Sequence, residues 1–183
     1  MAADDISISF PPASSATDTS LTTTLASIVN TSYATAEAGI WTPGHERTNP
    51  DDIASLIQKA QLAVVYDHAR SKQPIGCLVY KLISPALSNF GMLALDQAYR
   101  STGIGRRMVV FVEEESRRRG CENCSCELLM PTEFTHEYKE RTQKWYEKMG
   151  YSVVKVGDFA TEYPAFIKYL AGPVEYRIFE KTL

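Results

Sequence analysis

Two glycines stand between an alternating apolar segment and a run of helical character, and arginines flank them on both sides. The segment reads YRSTGIGRRM, with Gly103 and Gly105 between Arg100 and Arg106. A turn from a strand into a helix leaves backbone N–H groups unpaired at the positive end of the helix dipole, and glycine lets a ligand approach that backbone closely. The segment is therefore predicted to bind a phosphate or pyrophosphate group.

Two other phosphate-binding motifs fit this segment poorly. A P-loop ends in Gly-Lys-Ser/Thr, whereas Gly105 is followed by Arg106 and Arg107. A dinucleotide-binding fingerprint requires a small residue three positions after its second glycine, and Met108 stands there. An ordinary tight turn without a ligand is the remaining alternative.

Hydrophobic periodicity predicts the elements that position this turn. Alternation of apolar and polar residues predicts strands, and spacing of three or four residues predicts helices. The predicted strands cover 6–10, 62–66, 75–83, 90–95, 126–130, 151–156 and 174–179, and the predicted helices cover 19–33, 51–60, 105–119 and 138–149, with a short helix within 161–170. The chain is thus expected to form a mixed α/β fold in the order β-α-α-β-β-β-α-β-α-β-(α)-β.

Length and charge restrict the class of protein. The 183 residues are 44% hydrophobic, which suits one well-buried core, and we expect a single domain over residues 1–183. The net charge of −3 argues against a general nucleic-acid binder. No apolar run is long enough to cross a bilayer and no leader pattern is present, so we expect a cytoplasmic protein without a membrane partner. The run EEESRRR predicts a solvated helix face with Glu–Arg pairs four residues apart.

Three cysteines lie within the six residues CENCSC, from Cys121 to Cys126, and Cys77 lies far from them. A zinc site usually has a second ligand pair at characteristic spacing, and here only Cys77 and His136 are available to complete a ligand set. Reduced thiols at the start of a buried strand are the simpler interpretation, because cysteine packs as a small apolar residue. We therefore expect no bound metal.

The glycine segment resembles the R/Q-x-x-G-x-G/A turn of the GNAT superfamily, the acyl-CoA-dependent N-acyltransferases. A second segment, KWYEKMGY at 144–151, resembles the L/F-Y-x-x-x-G-F/Y segment of that family, and EAGIW at 37–41 resembles the end of its first helix. Both motifs fall in the expected elements and in the expected order. The resemblance implies the GNAT fold, with a central, mixed but mostly antiparallel sheet of about seven strands and four or five flanking helices.

By this resemblance, the turn binds the pyrophosphate of coenzyme A through backbone N–H groups, and acetyl-CoA is the co-substrate. Two neighbouring parallel strands, here near 91–95 and 125–130, separate in this family so that the pantetheine arm pairs with their unpaired main chain. The residues assigned to coenzyme A in this way are Leu93, Leu95, Arg100, Ser101, Thr102, Gly103, Ile104, Gly105 and Arg106.

Acyl transfer from a thioester to an amine requires the amine to lose a proton and the leaving thiolate to gain one. Tyr146 matches the tyrosine that often acts as the general acid in the family, and its alternative role is a half-buried aromatic on an amphipathic helix. Glu127, in CEL, stands where several relatives have the glutamate that accepts the amine proton, although a strand glutamate can equally face solvent. Partial burial would raise the pKa of such a carboxylate.

The acceptor site is expected between the loop at 39–52 and the connection at 158–173, where Glu37, Trp41, Glu46 and Tyr163 are expected to line it. Carboxylates and aromatic rings suit a cationic amine. The long last connection favours the primary amine of a small molecule or a peptide over a folded protein tail. Many relatives have asparagine where this chain has Lys139, so the lysine is expected to meet a phosphate of the co-substrate or to face water.

Two other functions compete with acetyl transfer by direct attack in a ternary complex. A GNAT-like domain that holds acyl-CoA without catalysis, as a sensor or regulatory module, would not need Tyr146. A thiol–metal interaction domain would be built on CENCSC. We expect an enzyme that is a monomer or a homodimer.

Overall fold

Seven strands form one sheet in the computed structural model, which describes residues 5–183. In chain order they are β1 (Ile6–Ser9), β2 (Leu62–Asp67), β3 (Gln73–Leu82), β4 (Leu87–Leu95), β5 (Asn123–Pro131), β6 (Ser152–Gly157) and β7 (Val174–Thr182). Across the sheet they lie in the order β1-β2-β3-β4-β5-β7-β6. Neighbouring strands are antiparallel except for β4 and β5, which are parallel.

Five α-helices flank the sheet, and local sequence signals mark their ends. They are α1 (Thr19–Ala36), α2 (Pro50–Gln58), α3 (Ile104–Arg118), α4 (Glu137–Lys148) and the short α5 (Phe159–Glu162). Asp18 caps α1, since its side chain accepts a hydrogen bond from the Leu21 N–H at 3.0 Å. Gly120 follows α3 with a φ of +84°, a conformation that glycine adopts without strain. The predicted fold class and element order are confirmed.

Each face of the sheet buries a separate hydrophobic cluster. The α1 and α2 helices pack on one face, where Leu25 and Ile53 lie with residues of β2 and β3. The opposite face contributes Phe90, Cys126 and other core residues to a cluster with α3. Because side chains alternate along a strand, Cys126 and Leu128 of β5 face this second cluster, whereas the side chain of Glu127 lies on the other face.

The prediction that the charge run on α3 forms a solvated helix face is wrong for two of its glutamates. The Glu113 carboxylate is buried, and it accepts hydrogen bonds from Lys181 Nζ at 2.8 Å and from the Tyr151 hydroxyl at 2.9 Å. Glu115 is buried as well, although its expected pair with Arg119 forms at 2.5 Å. The spacing along one helix could not reveal Lys181, because that partner comes from β7.

The segment after β6 also differs in detail from the predicted short helix within 161–170. It folds into α5, which ends at Glu162, and a 3₁₀ turn over Pro164–Tyr169. Pro164 stands at the start of this turn, where a missing N–H costs no hydrogen bond. Among residues 5–183, no helix combines the length and the apolar character required to cross a bilayer.

Candidate active site

The two parallel strands separate halfway along their length. The strands β4 and β5 pair from Leu87 opposite Asn123 to Phe90 opposite Cys126. Beyond this point β4 continues to pair with β3 as far as Leu95, and β5 continues to pair with β7. The separation begins at an irregularity in β4, where Met92 has a φ of +49° and the register with β3 shifts. The edges of β4 and β5 that face each other are therefore unpaired over 91–95 and 127–131.

A cleft of about 1000 Å³ occupies the gap between β4 and β5, and it extends from the glycine turn to residues of α1, α5 and β7. Leu93 and Leu95 lie in its wall, as the resemblance to the family implies for residues that contact the pantetheine arm. The Leu95 carbonyl already accepts a hydrogen bond from Ser32 Oγ at 3.1 Å, which fixes the end of β4 against α1. A long, open groove between two strands suits an extended ligand.

The glycine turn forms one end of the cleft. Gly103 has a φ of +85° and precedes α3, and a side chain built there would meet no atom within 4 Å. The backbone N–H groups of residues 101–106 form no hydrogen bond within the part of the chain that the structure describes. Six consecutive free donors at a helix N-terminus form a site for an anion such as a pyrophosphate.

The predicted coenzyme A residues at the turn divide into two groups. Arg100, Ser101, Gly103, Gly105 and Arg106 line the cleft. The side chains of Thr102 and Ile104 hold the turn in place instead, because Thr102 Oγ1 donates to the Tyr99 carbonyl at 2.6 Å and Ile104 is buried in the core. Only their main-chain N–H groups are available to a ligand.

Two residues that the sequence did not single out anchor this turn. The Tyr99 hydroxyl donates a hydrogen bond to Asp67 Oδ2 at 2.6 Å, and both side chains are buried. Asp67 ends β2, so the bond ties the turn to a strand two positions across the sheet. Nothing in the local pattern around Asp67 signals this role, since its partner lies 32 residues away.

Tyr146 lies in the cleft wall with its ring in the core. The ring packs against Phe90, Tyr151 and Phe179 at centroid distances of 6.0, 6.1 and 5.8 Å. Its hydroxyl forms no hydrogen bond to residues 5–183, and the residue lines the cleft. Burial raises the pKa of Tyr146 well above its ordinary value, so the hydroxyl keeps its proton through the neutral pH range.

Glu127 faces the same cleft from the other side of the sheet. Its Oε1 accepts a hydrogen bond from Asn89 Nδ2 at 3.0 Å, and Asn89 also donates to Ser125 Oγ at 3.1 Å. Burial raises the pKa of Glu127, against the opposing effects of the Tyr176 hydroxyl and the Asn89 amide. The gap between β4 and β5 brings this carboxylate and the Tyr146 hydroxyl to a common cavity, although their side chains belong to opposite faces.

Of the four residues predicted to contact the acceptor, Glu37 and Tyr163 line the cleft. Trp41 and Glu46 do not belong to the cleft wall. Trp41 acts behind it, because its Nε1 donates a hydrogen bond to Glu37 Oε2 at 2.5 Å. Glu46 is exposed on the loop between α1 and α2.

Lys139 is buried, so the expectation that it faces water is wrong. Its Nζ donates to Glu37 Oε1 at 2.6 Å, and each of the two side chains is only 6% exposed. Burial acts to raise the pKa of Glu37, but the Lys139 ammonium overrides this effect and holds that pKa below its ordinary value. The pair joins the end of α1 to α4 and neutralises a carboxylate that was predicted to bind a cationic amine.

All four cysteines are buried and free. Cys124 and Cys126 pack in the core on the α3 side of the sheet. Within residues 5–183, no group of three or more histidine, cysteine or acidic side chains is arranged to hold a metal ion. Burial raises the pKa of the Cys77 thiol to about 12, which makes it a poor nucleophile at neutral pH.

A sheet that opens between its parallel strands, beside a turn of free amides, is the arrangement that the resemblance to the GNAT family predicts. Residues 58–153 match the family model described as the acetyltransferase (GNAT) domain, and the chain belongs to this family. No curated protein matches the chain significantly.

Solved structures of acetyltransferases share this fold at low sequence identity. An aminoglycoside 6'-N-acetyltransferase complexed with coenzyme A superposes with a TM-score of 0.66 at 14% identity, over 96% of each chain. The NatC complex bound to Gag peptide and coenzyme A gives 0.64 at 16% identity, over 98% of this chain and 99% of that one. N-acetylglutamate synthase from Neisseria gonorrhoeae, complexed with coenzyme A and N-acetyl-glutamate, gives a TM-score of 0.62 at 13% identity. The match covers 97% of this chain but only 35% of that longer chain.

Proposed function

We propose that this protein transfers an acetyl group from acetyl-CoA to the primary amine of a small molecule, by direct attack within a ternary complex. One observation carries the proposal: the Tyr146 hydroxyl, which has no partner in residues 5–183, lines the same cleft as the free amides of residues 101–106. A binding module would need the amides but not an unpartnered acid placed in the cavity. CoA-bound acetyltransferases with the same fold support the choice of donor.

The reaction requires two proton transfers, one by Glu127 and one by Tyr146, whose side chains belong to opposite faces of the sheet. Acetyl-CoA supplies the thioester when bound, and in the reaction a C–N bond forms to the amine while the C–S bond breaks. The Glu127 carboxylate accepts the proton that the amine loses, directly or through water, and its raised pKa suits that role. The Tyr146 hydroxyl donates a proton to the departing sulfur, and its own raised pKa keeps that proton available.

The test compares Tyr146→Phe with wild type, and Tyr66→Phe serves as the matched control. Tyr66 is also buried, but it lies on β2 and outside the cleft wall. Free thiol release is followed with acetyl-CoA and a panel of primary amines, and acetyl-CoA affinity is measured by calorimetry. We expect kcat of Tyr146→Phe to fall by about 10- to 1000-fold at nearly unchanged affinity, because one general acid contributes on this scale.

Two results would argue against this proposal. Wild-type turnover in the Tyr146→Phe variant would remove the hydroxyl from the mechanism. Tight acetyl-CoA binding without acetylation of any amine would instead favour the sensor or regulatory module. The control variant should retain both turnover and affinity, since Tyr66 does not line the cleft.

A further inference from the structure

The acceptor side of the cleft carries cations without carboxylate partners. Arg47, on the loop between α1 and α2, and Lys81, on β3, both line the cleft. Neither forms an ion pair with a carboxylate of residues 5–183. The carboxylate of Glu37 is neutralised by Lys139. The cleft wall also contains the carboxylates of Glu127 and Asp52 and a third cation, Lys59, so three cations face two carboxylates there. The charge available on this side is therefore positive.

Arg47 is held in place by contacts that do not use up its charge. Asn30 Oδ1 accepts hydrogen bonds from the backbone N–H groups of Arg47 at 2.9 Å and Thr48 at 3.1 Å. Asn30 Nδ2 donates to the Thr48 carbonyl at 2.9 Å, which closes a three-bond clamp around this loop. The guanidinium lies over the Tyr33 ring, with Cζ 5.2 Å from its centroid. Its five donors remain available for a planar anion.

Arg47 lines the same cleft as Glu127 and Tyr146, and its charge acts on the carboxylate of Glu127. Burial raises the pKa of Tyr33 and of Glu127, and the Arg47 charge opposes the shift in both cases. The same charge helps to lower the pKa of Glu37, after the larger effects of burial and of Lys139. Lys81 also opposes the upward shift of Glu127. Because Arg47 and Glu127 line one cleft, a single small molecule can contact both of them.

We infer that the acceptor is an amino carboxylate, with its amine next to Glu127 and its carboxylate bound by the Arg47 guanidinium. This inference rests on the proposed function and names the class of acceptor for the same cleft. Lys81 adds positive charge near that carboxylate, and a bidentate Arg–carboxylate contact supplies both attraction and orientation.

The remaining wall of the acceptor side indicates an apolar side chain on this substrate. Aromatic residues from α5, the 3₁₀ turn and β7 line it, namely Phe159, Tyr163, Phe166 and Tyr176. The hydroxyls of Tyr163 and Tyr176 are hydrogen-bonded to each other at 3.1 Å, so the pair presents mainly ring surface. We therefore expect amino acids with aromatic or large aliphatic side chains to be acetylated best.

The first test compares matched acceptors that differ only at the carboxylate. L-phenylalanine, L-leucine and L-methionine are each assayed with acetyl-CoA beside their amides and their decarboxylated amines. We expect kcat/KM of the acids to exceed that of the neutral and cationic analogues by about 10-fold or more, because an unfilled Arg47 site forfeits a charge-assisted contact. Equal or better turnover of the amides and amines would overturn the inference and leave N-acetylation intact.

The second test uses Arg47→Gln, with Arg117→Gln as the matched control on the exposed surface of α3. The clamp from Asn30 binds main-chain groups of this loop, so the variant should keep its fold. We expect KM for the best amino acid to rise by about 10- to 100-fold with kcat changed little, and the preference for acid over amide to disappear. Acetyl-CoA affinity should not change in either variant.

Two further outcomes separate this inference from the proposed function. An unchanged KM in Arg47→Gln, or acetyl-CoA binding without acetylation of any amino acid while other amines react, would overturn the amino carboxylate assignment alone. Failure of the wild type to bind acetyl-CoA would overturn the proposed function and this inference with it.

Discussion

Replacement of Lys139 by methionine would test how the cleft wall is held together. The ammonium of Lys139 is the nearest charge to the Glu37 carboxylate, at 2.6 Å, and both side chains are 6% exposed. Methionine has the unbranched apolar stem of lysine, is one atom shorter and carries no charge. The Glu37 carboxylate would then retain only the Trp41 Nε1 hydrogen bond and the more distant Arg47 charge.

The expected loss of stability follows from what Glu37 can do in response. A buried carboxylate that has lost its charged partner lowers the free energy of unfolding by about 3–5 kcal/mol. Protonation limits this cost, because a carboxyl group with an ordinary pKa of 4.5 takes up a proton at pH 7 for about 3 kcal/mol, at 1.36 kcal/mol per pH unit. We therefore predict a decrease of about 3 kcal/mol in the free energy of unfolding at pH 7.

The free energy of unfolding should depend on pH in opposite directions in wild type and in Lys139→Met. In wild type the folded pKa of Glu37 lies below its ordinary value, so this group contributes stability that is present above about pH 4.5 and lost as the pH falls through the folded pKa. In Lys139→Met burial raises the folded pKa instead, so the folded state binds the extra proton and its stability decreases as the pH rises above the ordinary value. The deficit relative to wild type should thus shrink by about 2.7 kcal/mol between pH 7 and pH 5.

Urea denaturation of wild type, Lys139→Met and the double variant Glu37→Gln/Lys139→Met, at both pH values, measures these differences. The double variant should recover most of the loss at pH 7, because it removes the unpaired charge and retains an oxygen for the Trp41 N–H. A deficit of the same size at both pH values, or no deficit, would refute the assignment of Glu37 and Lys139 as a buried ion pair.

Three further predictions concern the turn, the base and the thiols. Gly103→Val should lose coenzyme A affinity, measured by calorimetry. Gly120 has the same left-handed φ and open surroundings but lies outside the cleft, so Gly120→Val should lose only stability. Equal coenzyme A affinities of the two variants would exclude the turn as the anion site. The base form of Glu127 is lost as the pH falls through its raised pKa, so kcat/KM should begin to decline at a pH above the ordinary carboxyl pKa. The pH profile of Glu127→Gln should lack this decline at acid pH. A decline that persists in the variant would exclude Glu127 as the base. Cys77 should react with a thiol reagent only after unfolding, and rapid modification of the native protein would contradict its burial.

The elements near the cleft were predictable because their signals are local. Alternation marks the strands, Asp18 caps α1, and glycines mark the turn at Gly103 and the end of α3 at Gly120. The resemblance to the GNAT family then indicated which strands separate. Their observed separation after Phe90 agrees with that expectation.

The charges of the cleft were not predictable, because packing between distant segments decides which of them are paired. Lys139 meets Glu37 across 102 residues, and Lys181 meets Glu113 across 68. The sequence does not reveal the pairing with Lys139, and it therefore predicted that Glu37 binds a cationic amine. No local pattern marks Arg47, although the structure places it in the cleft wall and over the Tyr33 ring.

The pH test of Tyr146 also changes once its surroundings are known. An alkaline decline in kcat would begin near pH 10 for a tyrosine with an ordinary pKa of about 10. Burial raises the pKa of Tyr146 well above that value, so the decline moves to a more alkaline range. The rate of the Tyr146→Phe variant is therefore the more informative measurement.

Identification of the reaction product tests the central claim most directly. Wild-type protein is incubated with acetyl-CoA labelled with ¹³C in its acetyl group and with a panel of primary amines that includes the free amino acids, and the products are analysed by mass spectrometry and NMR. The account predicts a labelled acetyl group in amide linkage to the acceptor nitrogen, with one thiol released for each product formed. Stable binding of labelled acetyl-CoA without any labelled amide product would contradict it.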